Sequence, residues 1–447
     1  MDFESMRAAL VRAADAAGLS QYEIYYQAEE ELRAETLEHA LSAFASGYSG
    51  GICFRCIVDG KMGYASSELM TEDAMEELVH AAISNATCID SEDEVFIFEG
   101  SKHYASIENN HPQLADAATV RSLALELQEK TYATDGRVGE GTQSAVVSAT
   151  EEIRLCNSCG LSLYNRVGFT GAYVNPIVRE GEEAQESFEF ELGESMEALG
   201  DLPSRAVARA LGKLGAVEIP SGEYDVLFDG RQFRQFLSVF SPVFSAKNAR
   251  MGLSLLKGKE GEIVAAPCVT VTDDPMREGS PMQTPFDGEG VATSKKNVIE
   301  NGVLKTLLYD LTTAKWAGVE STGNGQRGSY AAPVAIAPYH LSIAACDASE
   351  EELLAAVGEG IYLTECKGFH AGANAVTGDF SIESAGFRIR DGKLAEPIKS
   401  FTVAGNFFDV LKRIERIGNE VKWGSPTGFT TYGSPDLLIR GMSVAGK

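Results

Sequence analysis

The chain has 447 residues, 44% of them hydrophobic, and its 65 Asp+Glu against 38 Lys+Arg give a formal net charge of −27. That length exceeds the roughly 250–300 residues at which a single hydrophobic core stops growing, so at least two domains are expected. The negative balance, with no compensating Lys/Arg block, disfavours nucleic acid and anionic lipid as partners. No apolar stretch approaches the ~18 residues of a membrane span. The acidic start Met1-Asp2-Phe3-Glu4-Ser5 does not read as a secretory signal. Eight cysteines without regular spacing fit reduced thiols, so a cytoplasmic setting is expected.

In chain order, residues 2–17 read as a helix capped by Asp2 and stopped at Gly18. A strand-rich stretch follows, with a hairpin at Asp59-Gly60, a pair suited to a turn that needs positive φ twice. Thr71 caps a second helix, and a third covers about 113–131. Strands resume from Val146 to Leu192. There Phe188, Phe190 and Leu192 alternate with Glu189 and Glu191, which predicts a half-buried strand with a solvated glutamate face. A helix from Pro203 to Leu214 leads to a boundary at Gly215–Ser221, dividing the chain into 1–215 and 216–447.

The second half opens with a strand, Tyr224–Phe228. Asp229 or Gly230 then begins a helix carrying Phe233, Phe236, Leu237 and Phe240, broken near Pro242. Further hairpins are expected at Asn301-Gly302 and Asp391-Gly392. Ser349 and Glu352 form a capping box, and Asn406 caps a last helix with Val410, Leu411 and Ile414 inside. The predicted class is α+β, two strand-rich domains with hairpins and flanking helices.

Several chemical motifs fail on context. Gly47-Tyr48-Ser49-Gly50-Gly51 has the spacing of a nucleophile elbow but runs into a strand instead of a helix. Gly323-Asn324-Gly325-Gln326-Arg327-Gly328 has the spacing of a dinucleotide fingerprint, yet the segment after it holds two prolines and supplies no helix for a pyrophosphate. Cys53/Cys56 and Cys156/Cys159 are CxxC pairs, the first on opposite faces of a predicted strand. His39, His80, His103, His111, His340 and His370 include no pair a helical turn apart and none followed by Glu, so a helical zinc-hydrolase site is missing.

From Tyr224 onward the order of motifs becomes specific. It runs Thr272-Asp273-Asp274-Pro275, then Pro285-Phe286-Asp287-Gly288-Glu289-Gly290-Val291, Ile299-Glu300-Asn301-Gly302-Val303-Leu304 and Ser321-Thr322-Gly323-Asn324-Gly325. Thr377-Gly378-Asp379-Phe380-Ser381 and Val403-Ala404-Gly405-Asn406 follow. This series resembles the TldD/PmbA family, formerly described as modulators of DNA gyrase, and weaker matches extend the resemblance into the first half. TldD-type members resemble zinc peptidases with HExxxH on the helix after the first strand of the second domain. They also carry a cysteine in a glycine-rich motif near the carboxyl end. Here the helix from about Gly230 to Lys247 has no histidine, and Trp423-Gly424-Ser425-Pro426-Thr427-Gly428 has no cysteine. Both departures resemble the PmbA (TldE-like) branch.

The resemblance implies a cytoplasmic peptidase assembly acting on unfolded or modified peptides. Zinc is expected on a TldD-type partner and no cofactor in this chain, which would supply cavity walls and substrate contacts, with no residue of its own assigned to catalysis. A homodimer is the alternative assembly. Arg327, His370, Asn374 and Asp379 are the candidate cavity residues, the last three around a glycine-rich loop where a peptide backbone could approach closely. Asp273, Asp274, Asp287 and Glu289 could gather around a hard cation, although Asp-Pro and Asp-Gly also suit turns and strand ends. Rival readings are an independent hydrolase built around His370 and a non-enzymatic gyrase-modulator-type interaction protein.

Overall fold

A computed structural model describes residues 1–90, 94–107 and 112–447, so His111 lies outside the described residues. The fold is α+β. In the first half, α1 (Phe3–Ala16) precedes β1 (Tyr22–Leu37), β2 (Ala40–Val58) and β3 (Lys61–Ser67), then come α2 (Glu72–Thr87), α3 (Ala117–Thr134), β4 (Gln143–Asn157), β5 (Ser162–Asn175) and α4 (Leu202–Leu211). The predicted caps form: Asp2 accepts from the Ser5 amide at 2.8 Å and Thr71 from the Ala74 amide at 3.3 Å. These bonds satisfy N–H groups that a helix start leaves without partners.

The strands make one antiparallel sheet in the order β3-β2-β1-β4-β5, completed by a short strand Glu189–Leu192. Side chains alternate across it. Ile24, Tyr26 and Ala28 therefore pack under α1 and α2, while Leu32 and Ala34 farther along meet α3 and α4. On the opposite face, Tyr25, Cys53, Ile153, Leu155 and Val167 pack against Met282, Phe286, Tyr339 and Phe429 from the second half. Cys53 and Cys56 indeed fall into different cores, and all eight cysteines are free thiols.

The second half builds a six-stranded sheet in the order Lys393–Asn406, Asp379–Arg390, Gly360–Lys367, Gly222–Phe228, Leu437–Ala445 and Ile414–Ile417. Pairing of Thr402–Ala404 with Ser443–Ala445 closes five of these strands into a ring at one end. The helix α5 (Gly230–Phe240) lies against this sheet with Phe233, Phe236, Leu237 and Phe240 buried. The Phe236 ring meets Phe228, Phe369 and Phe380 edge-on at 5.1, 5.0 and 4.9 Å, the arrangement that ring quadrupoles favour. A further sheet contains Val271–Asp273, His340–Ile343 and Thr431–Ser434. Among the described residues no helix is long and apolar enough to cross a membrane.

Two local expectations are corrected. Ile414 starts a strand, because the helix capped by Asn406 ends at Arg413. In the acidic strand the faces do not separate as expected: Phe188, just before it, is 61% exposed, Glu189 is buried at 4%, and Phe190, Glu191 and Leu192 are all half-buried. Glu189 turns inward because Arg209 and Arg231 wait there, at 3.1 and 3.7 Å. At that position the ion pairs outweigh the apolar pattern.

Candidate functional site

The strand Gly222–Phe228 ends at Asp229, whose buried carboxylate caps α5 by accepting from the Arg231 amide at 2.9 Å. Burial works to raise the Asp229 carboxyl, but Lys422, Arg209 and Arg231 outweigh it and hold the group below its usual value. Asp436 fixes the same helix start by accepting from the Gly230 amide at 2.7 Å, and a Cβ at Gly230 would collide with the Ser434 carbonyl at 2.2 Å. The helix is thereby placed with its phenylalanines in the core and Arg231, Gln232, Arg234 and Gln235 on the other side.

Those four polar residues line a cleft of about 560 Å³, with Phe188, Tyr362 and Phe387 among its apolar walls. It continues through Glu186, Lys213, Thr364, Glu365 and Lys367 into a second hollow of about 420 Å³. Toward the other end it shares Gln235, Cys366 and Lys367 with a more open hollow that contains His370. The middle of the cleft joins the two segments singled out by the missing histidine and cysteine. Arg234 of α5 donates a hydrogen bond to the Trp423 carbonyl, and its Nε lies 3.4 Å from where a Cβ on Gly424 would stand.

Whether α5 could hold zinc is a question of donors. Zinc takes thiolate, imidazole or carboxylate ligands, whereas a guanidinium offers only N–H donors. Arg231, Gln232, Arg234 and Gln235 therefore do not fit the ion. Among the described residues no group of three or more His, Cys, Asp or Glu is placed to hold a metal.

The candidate residues from the sequence separate. Arg327 is buried between the two halves of the chain, with Nη2 2.6 Å from Glu23, Nε 2.9 Å from the Gly288 carbonyl and its guanidinium 4.3 Å from the Tyr25 ring centre. Arg55 reaches the other oxygen of Glu23 at 2.8 Å, and that carboxylate raises the Arg55 guanidinium although burial opposes it. Arg327 thus holds the halves together and lies away from the cleft on α5. His370 is exposed on the short helix Phe369–Gly372. Among the described residues it has no hydrogen-bond or ion-pair partner to orient it. Asn374 and Asp379 shape the loop itself. Asn374 accepts from the Val376 amide at 2.9 Å, and Asp379 accepts from the Asn406 side chain at 2.9 Å, which with Thr377 lowers its carboxyl.

The carboxylates considered for a cation take the other role foreseen for them. Asp273 accepts from the Tyr339 and His340 amides at 2.8 and 3.0 Å, from Asn324 at 2.8 Å and from Lys296 at 3.2 Å. Asp287 accepts from the Glu289, Val291 and Gly325 amides, all at 2.9 Å. Burial raises Asp287, and burial followed by the charge of Asp287 raises Glu289. Asp274 pairs with Lys295 at 3.1 Å near the surface.

The cleft was missed from sequence, although one signal was present. In a chain of net charge −27, the polar positions of α5 are two arginines, two glutamines and Ser238, with no acid. The absence of histidine drew attention away from what stands in its place.

Models of the PmbA/TldA metallopeptidase match three stretches: domain 1 over residues 22–86, the central domain over 110–214 and the C-terminal domain over 221–446. A protein of Methanothermobacter thermautotrophicus named a metalloprotease is 26% identical over 427 residues, covering 91% of each chain. A Thermotoga maritima structure, named for modulation of a DNA gyrase, superposes with a TM-score of 0.89 at 30% identity, covering 99% of this chain and 100% of that one. TldE of Thermococcus kodakarensis shares the fold with a TM-score of 0.89 at 22% identity, again over 99% and 100% of the two chains. With the C-terminal model alone spanning residues 221–446 and the other two filling most of what precedes it, the chain belongs to the PmbA/TldD metallopeptidase family.

Proposed function

We propose that this chain is the TldE-like subunit of a cytoplasmic TldD/TldE-type zinc metallopeptidase that processes or degrades unfolded or modified peptides. It contributes cavity and substrate-binding surface, and the zinc resides on a TldD-type partner. The observation that carries this reading is the polar face of α5: a cleft-lining helix of a metallopeptidase family presents Arg231, Gln232, Arg234 and Gln235, none of them a zinc ligand. The cleft and its continuation offer a long, mixed polar and apolar surface suited to an extended chain. In the absence of the partner, the same surfaces would leave a homodimer as the alternative assembly.

The test is reconstitution. The chain is purified alone and together with a TldD-type subunit, and bound zinc and cleavage of an unfolded peptide are measured for both preparations. Zinc and cleavage are expected only when the partner is present. Stoichiometric zinc with full cleavage by the lone chain would sink the proposal. The rival hydrolase reading centred on His370 gains no support from the geometry, since among the described residues no nucleophile or carboxylate is hydrogen-bonded to His370.

A further inference from the structure

The cleft on α5 is a cationic exception in an acidic chain. Its lining contains Arg209, Lys213, Arg231, Arg234 and Lys367 against Glu186, Asp229 and Glu365. Four of these cations have carboxylates close by. Arg209 has Glu189 at 3.1 Å and Asp229 at 3.2 Å, Lys213 has Glu365 at 2.5 Å, and Lys367 has Glu365 at 2.7 Å. Arg231 is held more loosely, with Glu189 and Asp229 both at 3.7 Å. Arg234 is different. Among the described residues no carboxylate comes within 4.0 Å of it, and its hydrogen bond goes to a neutral carbonyl, that of Trp423.

A half-buried guanidinium without a counter-charge is costly to keep, because desolvation is not repaid by an ion pair. Burial, then the neighbouring Arg231, lowers Arg234 to about 10, so it still carries its charge at neutral pH. Most of its N–H donors have no protein acceptor. The fixed fork of a guanidinium matches a carboxylate through two parallel hydrogen bonds. Phe188, Tyr362 and Phe387 stand nearby to take apolar side chains.

We infer that Arg234, assisted by Arg231, seats a carboxylate of an extended peptide lying in the cleft on α5. The carboxylate is supplied either by the peptide's chain end or by an Asp or Glu side chain. This deepens the proposed function and rests on the reading of the chain as a peptide-binding subunit.

The full chain is titrated calorimetrically with one octapeptide of Gly, Ser and Leu in three forms: free acid, C-terminal amide, and amide with a single internal Asp. The free acid, the Asp-containing amide or both are expected to bind at least about tenfold more tightly than the plain amide, and which of them does so identifies the source of the carboxylate. Arg234→Gln is expected to erase that preference and Arg234→Lys to retain part of it, with thermal melts confirming that each variant folds. Equal binding of all three forms overturns the inference while leaving a peptide-binding subunit in place. A preference that survives in folded Arg234→Gln overturns the assignment to Arg234. Binding of none of the three overturns the inference as well, and the subunit reading then stands or falls on reconstituted cleavage. The comparison of acid with amide on the unaltered chain needs no substitution, so a misfolded variant does not remove the test.

Discussion

Arg327 and Arg234 are both drawn out of water, and the protein treats them in opposite ways. Arg327 has an anionic partner, a carbonyl and an aromatic face within reach, and through Glu23 it is coupled to Arg55. Arg234 has one neutral acceptor and open space in front of it. The first arrangement is that of a structural rivet, where the Arg327 charge is met by a carboxylate, a carbonyl and a ring. The second leaves charge uncommitted at the wall of a cleft, which is where perturbed ionisable groups gather when they serve binding.

The largest expected effect breaks the rivet. Arg327→Ala leaves Glu23 with only Arg55 and should cost about 3–5 kcal/mol, read as a lowered urea midpoint. Adding Glu23→Gln should deepen the loss, because the buried Arg55 then has no carboxylate, and a double-mutant cycle measures the coupling. If Arg327→Ala is no less stable than the parent chain, the rivet is not holding the halves together.

Next in size is a pH effect in the same region. The folded-state value of Glu289 lies above its ordinary 4.5, raised by burial and then by the charge of Asp287, so in the pH window above that value the folded chain keeps a proton that the unfolded chain has lost. Its contribution to stability therefore falls as pH rises through the window. Glu289→Gln should flatten the alkaline side of a pH–stability profile; an unchanged profile would remove Glu289 as its cause.

Smaller changes are expected at the cleft. Arg234→Met removes a charge that no ion pair repays and should stabilise the chain by about 1 kcal/mol, read as a raised urea midpoint. A loss comparable to that of Arg327→Ala would place Arg234 among the rivets and erase the contrast. Smallest of all, His370→Ala should stay within about 0.5 kcal/mol and leave cleavage by the reconstituted pair unchanged. Abolished cleavage with intact folding would return His370 to the centre of the chemistry.

Much of the local architecture was legible because it is written in local chemistry. Asp59-Gly60, Asn301-Gly302 and Asp391-Gly392 all adopt positive φ at both residues, as the hairpin pattern requires. The Ser349/Glu352 capping box closes in both directions. The turn between β1 and β2 gave no such warning, since Glu38 and His39 take φ of 50° and 67° without a glycine. That conformation is supported from a distance: His39 stacks on Tyr132 at 3.9 Å and meets Glu129 at 3.0 Å. Glu189 and Phe188 were misassigned for a related reason, because the arginines that draw Glu189 inward come from α4 and α5. The same holds for the site. Residue types made Arg327, His370, Asn374 and Asp379 candidates together, whereas the structure buries Arg327 against Glu23 and leaves His370 in the open hollow beside the cleft, because burial and partners are long-range properties that composition does not carry.

The position of Glu23 also sets a timetable for synthesis. Arg55 follows it by 32 residues, but Arg327 follows by 304, a delay of about 15–60 s at ordinary rates of translation. During that interval the face of β1 and β2 bearing Tyr25 and Cys53 has emerged, while Met282, Phe286, Tyr339 and Phe429, which later cover it, have yet to be made. The nascent first half must therefore persist with an apolar face open to water and to other nascent chains. Shielding of that face during synthesis is therefore a requirement of folding separate from the stability of the finished structure.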